Sequence, residues 1–258
     1  MRVQVKVRWQ PKAGNRSSDY EDAFCPYWFD AARCGPAFRF AVADGATESS
    51  FARLWARLLV LLYCNPHVQL PPVATDEFVE QVGWLGRVWE RQVYSQPLEW
   101  FALAKAERGS FSSLVGLTLE AGGDRAIGRG SWQATAVGDS CLFHLRGDRL
   151  LLAAPISDPA EFGHHPRLIS TNPARNHQVW QDLDRDALGG EWAAGDQFLL
   201  MTDALACWFL TRVADGGQPW RSLDKASRSH AHFAQWLHQR RAATEIRNDD
   251  VTLLTIRL

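Results

Sequence analysis

Short carboxylates stand where this chain turns out of, or into, apolar strands. Asp44 ends the run Phe38-Arg39-Phe40-Ala41-Val42-Ala43 and is followed by Gly45. Asp203 ends Phe198-Leu199-Leu200-Met201-Thr202 and opens a helical stretch, while Asp249 and Asp250 precede the apolar strand 251–258. Glu21 and Asp22 lie beside Ala23-Phe24, which could open a further strand. Carboxylates gathered at one rim of a sheet can hold hard divalent cations such as Mg²⁺ and Mn²⁺, which take oxygen ligands and keep several waters. Without a cation such acids repel and raise one another's pKa. Two cations remove that cost and make bound water a nucleophile at neutral pH. Taken singly, each acid reads first as a turn former or a helix N-cap, Asp203 included. Their joint occurrence is what points to a metal site.

Nothing else in the sequence competes for a softer metal. HExxH is absent, His164 and His165 are adjacent, and His230 and His232 fall on different faces of a helix. Cys25, Cys34, Cys64, Cys141 and Cys207 are odd in number and scattered, with no CxxC pair. They read as free thiols in a reducing compartment, so the expected location is cytoplasmic.

The elements that must position the acids follow from periodicity. Val3, Val5, Val7 and Trp9 alternate with polar residues as a half-buried strand, and 38–43 is another. Residues 47–64 read as a helix with Phe51, Leu54, Trp55, Leu58, Leu59 and Leu62 on one face, Thr47 as N-cap and Glu48 at the positive end of its dipole. Further helices are expected over about 75–94, from Pro97 to before Gly109, over 204–213 and over 225–241. A β block runs from Leu114 to Leu119 and from Trp132 to Val137, then forms a hairpin about Arg146-Gly147-Asp148. Strands bunched around helices, with hairpins between them, give an α+β class with a largely antiparallel sheet system. Trp84, Trp89, Trp100, Trp208, Trp220 and Trp236 are expected to pack in the core or between helices rather than to cage a ligand. Residues 155–176, with Phe162, His164, His165, Pro166 and Arg167, show no periodicity.

Composition excludes whole classes. The 258 residues carry 28 basic and 29 acidic side chains, a net charge of −1. That balance argues against a nucleic-acid partner, which calls for a basic surplus. The longest apolar run, 58–64, is too short to span a bilayer, and the N-terminus lacks the uninterrupted apolar segment of a secretory signal. No linker, low-complexity stretch or fixed-period repeat divides the chain, so one domain over 1–258 is expected.

The order of the acidic motifs resembles the metal-dependent serine/threonine protein phosphatases of the 2C type, in a divergent bacterial form. The resemblance rests on Glu21-Asp22-Ala23, on Phe40-Ala41-Val42-Ala43-Asp44-Gly45 and on Ala136-Val137-Gly138-Asp139-Ser140. It continues in Leu200-Met201-Thr202-Asp203-Ala204-Leu205 and in Asp249-Asp250-Val251-Thr252-Leu253-Leu254. It implies a four-layer α-β-β-α sandwich: two antiparallel sheets flanked by helices. It also implies a centre of two Mn²⁺ or Mg²⁺ ions at one end. Asp44 would bridge both ions, the Gly45 carbonyl would bind one, Asp203 and Asp249 would hold the other, and Glu21 and Asp22 would act through bound water. The implied reaction is hydrolysis of phosphoserine or phosphothreonine, by in-line attack of a water shared by the two ions. Its substrate would be a phosphorylated protein, with a cognate Ser/Thr kinase as a second partner.

Several positions depart from the family pattern. Ala46 stands where animal members place the His that protonates the leaving group, and Thr202-Asp203-Ala204 replaces Ser-Asp-Gly. Cys207 stands where many members carry an Asp for a third ion, with Glu107 a candidate to lie near that site. The family's phosphate-gripping Arg precedes the Glu21 position by four residues. Here Ser17 fills that place, and Arg16, one step earlier, is either its substitute or a solvated loop charge. Asp139 reads as a turn former, and the 155–176 segment as a flap that selects substrate. Two alternatives stand beside the enzyme: a phosphatase-like regulatory or binding module without catalysis, and a phosphatase of small molecules.

Overall fold

The structure is a computed structural model and describes residues 1–46, 51–68, 76–95, 97–123, 128–163, 166–185 and 187–258. Strands β1 (Arg2–Gln10), β2 (Ala23–Cys25), β3 (Ala31–Cys34) and β4 (Ala37–Ala43) come first. Helices α1 (Ala52–Cys64), α2 (Asp76–Val93) and α3 (Trp100–Ala106) follow. The central strands are β5 (Phe111–Ser112), β6 (Leu114–Ala121), β7 (Arg129–Val137), β8 (Cys141–Arg146), β9 (Arg149–Ala154) and β10 (Ile169–Ser170). Helix α4 (His177–Arg185) leads to β11 (Leu188–Ala193) and β12 (Asp196–Met201). Helices α5 (Asp203–Ala214), α6 (Pro219–Ala226) and α7 (His230–Ala242) precede β13 (Val251–Arg257).

One antiparallel sheet has the order β3-β1-β13-β12-β8-β9 and the other β11-β7-β6-β4-β2. Alternation in β1 sends Val3, Val5 and Val7 inward, where they meet Phe40, Leu117, Phe198 and Leu254 between the sheets. A second apolar cluster lies under α1 and α2, with Trp55, Leu59, Phe78 and Trp89 against Ala41. A third lies under α5, α6 and α7, with Phe209, Leu223 and Phe233 against Leu199 and Leu253. The layers are therefore α-β-β-α, the sandwich implied by the motif order. Strands β12 and β13 are apolar on both faces because one face meets the other sheet and the other meets helices. Among the described residues no helix is long and apolar enough to cross a membrane.

The differences from expectation have local causes. Helix α1 begins at Ala52, after Phe51 in the left-handed region with φ 62°. Thr47, Glu48 and Thr75 lie outside the described residues. The helix expected over 225–241 is split: α6 ends at Ala226, and Ser229 starts α7 by accepting the His232 N–H on its hydroxyl at 3.2 Å. Such a cap competes with helix continuation. Helices α4 and α6 and strands β3, β5, β10 and β11 went unforeseen. Trp89, Trp208 and Trp220 are buried as expected, and Trp236 packs on Trp208. Trp84 and Trp100 instead stand 55% and 80% exposed. The face of α2 that packs is the one bearing Phe78, Val82, Leu85 and Trp89.

Gly116 of β6 lies beneath the ring of Tyr63, and a Cβ there would meet that ring at 2.3 Å. Gly116→Ala should therefore push α1 off the sheet and cost about 1–3 kcal/mol. Urea unfolding would register this as a lower midpoint; an unchanged midpoint would contradict the close packing of α1.

Candidate metal centre

Strand ends converge at one edge of the sandwich. β4 delivers Asp44, the turn between β7 and β8 delivers Asp139, and the step from β12 into α5 delivers Asp203. Carboxylate oxygens of these residues all lie within 4.8 Å of one another. Asp203 is buried, and Asp44 and Asp139 are partly exposed at the mouth. Two expected residues thus meet a third that sequence reasoning had assigned to turn formation. Gly138 does make the turn, with φ 89°, and a Cβ there would meet the Ser113 Cβ at 2.7 Å. The Asp139 carboxylate that follows faces the other acids.

Serine and threonine hydroxyls fix these loops. The Asp44 N–H donates to Ser113 Oγ at 3.0 Å, and Ser113 Oγ lies 2.6 Å from Ser140 Oγ. Ser112 Oγ donates to the Asp44 carbonyl at 2.8 Å. This chain of bonds ties the Asp44 loop to the Asp139 loop. Gly45 packs against the start of α1, where a Cβ would lie 2.9 Å from Ala52 atoms. Its lack of a side chain therefore has a packing cause in addition to the close approach expected toward a cation. Asp203 is the first residue of α5, and its Oδ1 accepts the Ala204 N–H. The helix N-terminus favours its negative charge.

The remaining expected residues surround this trio. Asp22 is buried; its Oδ2 accepts from Thr252 Oγ1 at 2.7 Å, and its Oδ1 has no hydrogen-bond partner among the described residues. Asp249 Oδ1 accepts the Asp250 N–H at 2.9 Å and lies 3.1 Å from Lys12 Nζ. Asp249 stands next to the trio rather than in it, near enough for its charge to act on Asp44 and Asp139. Glu21 lies 4.0 Å from Lys12 Nζ, and its N–H donates to Asp250 Oδ2. Asp250 also accepts the Lys12 N–H on Oδ1, so it clamps the β1 exit loop and Glu21 to the start of β13. Arg16 is exposed before a short 3-10 turn, where its N–H donates to Asp19 Oδ2 and its charge acts on Asp19. Glu107 borders a separate cleft with Gly83, Tyr94 and Thr171.

Crowding shows in the titration of these groups. Burial first, then the charges of Asp139 and Asp249, push the Asp44 carboxyl up to about 8, against an approach by Asp22 and the charge of Arg247. That approach does not make a well-formed hydrogen bond at Asp22 Oδ1. Asp22 is raised well above the usual carboxylate range by burial and by Asp44. Asp139 is raised by burial and by Asp249. An all-oxygen donor set, an orphaned buried oxygen on Asp22 and carboxylates too close to ionise together fit a hard divalent cation.

The 155–176 segment reaches this site in two ways. β10 pairs with β5, and Ser112 of β5 bridges to Gly45. A cleft of about 870 Å³ opens beside Asp139, walled by Ile156, Phe162 and Arg167 of the segment.

The pH dependence follows from Asp44. Its folded-state pKa of about 8 exceeds the unfolded value of 3.8, so the folded form keeps a proton that the unfolded form has released. In chelator this group should make stability fall as pH rises from about 4 to 8, and Mn²⁺ should flatten that fall. Thermal midpoints across that window, with and without Mn²⁺, would test it; a slope that Mn²⁺ leaves unchanged would contradict the cluster.

No protein-family model and no curated protein matches the sequence. Solved structures match the fold. The serine/threonine phosphatase PstP/Ppp of Mycobacterium tuberculosis covers 100% of this chain and 99% of its own at a TM-score of 0.54 and 15% identity. The catalytic domain of PstP in complex with two manganese ions covers 99% and 98% at 0.54 and 15%. PppA, a regulatory component of T6SS in Pseudomonas aeruginosa, covers 99% and 97% at 0.50 and 18%. Over its whole length, this chain has the fold of the 2C-type serine/threonine phosphatases.

Proposed function

We propose that residues 1–258 act as one unit, a metal-dependent phosphatase of phosphoserine and phosphothreonine in proteins. The observation that carries this reading is the carboxylate cluster of Asp44, Asp139 and Asp203 at the end of the sandwich. It stands in a fold shared with a phosphatase described with two manganese ions. The ligands would be Asp44, the Gly45 carbonyl, Asp203 and Asp249, joined by Asp139, with Glu21 and Asp22 acting through water. When bound, Mn²⁺ or Mg²⁺ would lower the pKa of water and offset charge on the phosphoryl group.

The chain's own part is placement. The Ser113–Ser140 hydroxyl pair holds Asp44 and Asp139 in mutual register. Thr252 holds one oxygen of Asp22 and leaves the other, buried one free to accept from a water. Ala46 has no proton to give, so the leaving oxygen would take its proton from water or from another residue. The cleft beside Asp139 gives a phosphorylated segment a path to the acids, and residues 155–176 select it. A cognate kinase would supply the substrate, in the cytoplasm.

Hydrolysis of p-nitrophenyl phosphate and of a phosphothreonine peptide, with Mn²⁺ and with chelator, tests the reading. Turnover should need metal and fall more than about 100-fold in Asp203→Asn, since loss of even an outer contact to a ligand costs 10–100-fold. Absence of turnover in a native chain that binds Mn²⁺ would sink the enzyme and leave the regulatory binding module.

A further inference from the structure

Arg247 stands two residues before Asp249 and reaches across to another element. Its guanidinium pairs with Asp203 Oδ2 and lies 3.4 Å from Asp249 Oδ2. Its charge also opposes the upward shifts of Asp44 and Asp139. One cationic head thus serves four acids at this end of the sandwich. The other cations nearby are placed differently. Lys12 approaches Asp249 at Oδ1, next to Glu21, and Arg241 donates to the Asp249 backbone carbonyl. Neither of those contacts uses the Asp203 carboxylate.

Exposure separates Arg247 from its partner. The Arg247 side chain is 51% exposed, whereas that of Asp203 is 5% exposed. A guanidinium open to water on one side gains little from its ion pair and leaves readily. A buried carboxylate at a helix N-terminus stays in place and needs a positive partner. A divalent cation bound to several carboxylates is the stronger partner.

We propose that Arg247 is a built-in counter-cation, which occupies the Asp203 and Asp249 oxygens that a divalent cation needs and must be displaced when that cation binds. The inference rests on the metal-centre reading above. In the metal-free chain the guanidinium supplies the positive partner of the Asp203 and Asp249 carboxylates. Its displacement weakens apparent cation affinity, as any competing occupant of a site does. Arg247 therefore sets the cation level at which the centre fills.

The test is a Mg²⁺ titration, followed by calorimetry and by the Arg247 Nε–H resonance. Arg247→Gln should bind Mg²⁺ at least about fivefold more tightly, the low end of ordinary coupling between sites. Arg247→Gln should also melt lower than the native chain in chelator, and this gap should close at saturating Mg²⁺. Arg247→Lys, which keeps the charge, should stay closer to native affinity. In the native chain, which needs no variant to fold, the Nε–H resonance should shift in step with Mg²⁺ occupancy. Binding by the native chain without that shift, or Arg247→Gln binding no more tightly, would overturn this inference alone. A native chain that binds no Mg²⁺ would overturn both it and the metal centre.

Discussion

Ionised carboxylates crowded into a partly dry corner repel one another, and burial adds a desolvation cost to each. Asp22, Asp44 and Asp139 are all held above their usual pKa for these reasons. A fold keeps such an arrangement only where something positive offsets it. Here Lys12 and Arg247 supply part of that charge from within the chain, and a divalent cation is the partner that an all-oxygen set suits. The buried, unpartnered oxygen of Asp22 points the same way.

The sandwich exists around this constraint. Asp44 follows β4 and Asp139 follows β7 of the five-stranded sheet, whereas Asp203 follows β12 and Asp249 precedes β13 of the other sheet. No single element could bring them together. Pairing of β1 with β13 joins the two ends of the chain, and Asp250 then fastens the β1 exit loop beside Glu21. The apolar layer between the sheets fixes the strands to which the acids are attached. Hydroxyls of Ser113, Ser140, Thr202 and Thr252 finish the positioning at short range.

Much of this was legible in the sequence because strand periodicity and strand-end acids are local signals. Asp44 and Asp203 could be picked out from the apolar runs that precede them, and the order of the motifs carried the four-layer fold. Gly138-Asp139-Ser140 has turn chemistry, and the Gly does form the turn; that the Asp139 carboxylate also lies beside Asp44 and Asp203 is a long-range fact with no local signal. Arg247 left no signal, since an Arg near a strand start is ordinary until Asp203 is placed beside it. The split between α6 and α7 was hidden because Ser229 looks like any polar helix residue until its hydroxyl caps the next turn. Trp84 and Trp100 lie outward: a large apolar side chain does not by itself say which face of a helix packs.

The central claim is that the acids form a cation site. Anomalous scattering from Mn²⁺-soaked crystals of the native chain tests it most directly. The account predicts Mn²⁺ peaks among the carboxylates of Asp44, Asp139, Asp203 and Asp249. Crystals soaked in millimolar Mn²⁺ that show no peak there, with the carboxylates ordered, would contradict it.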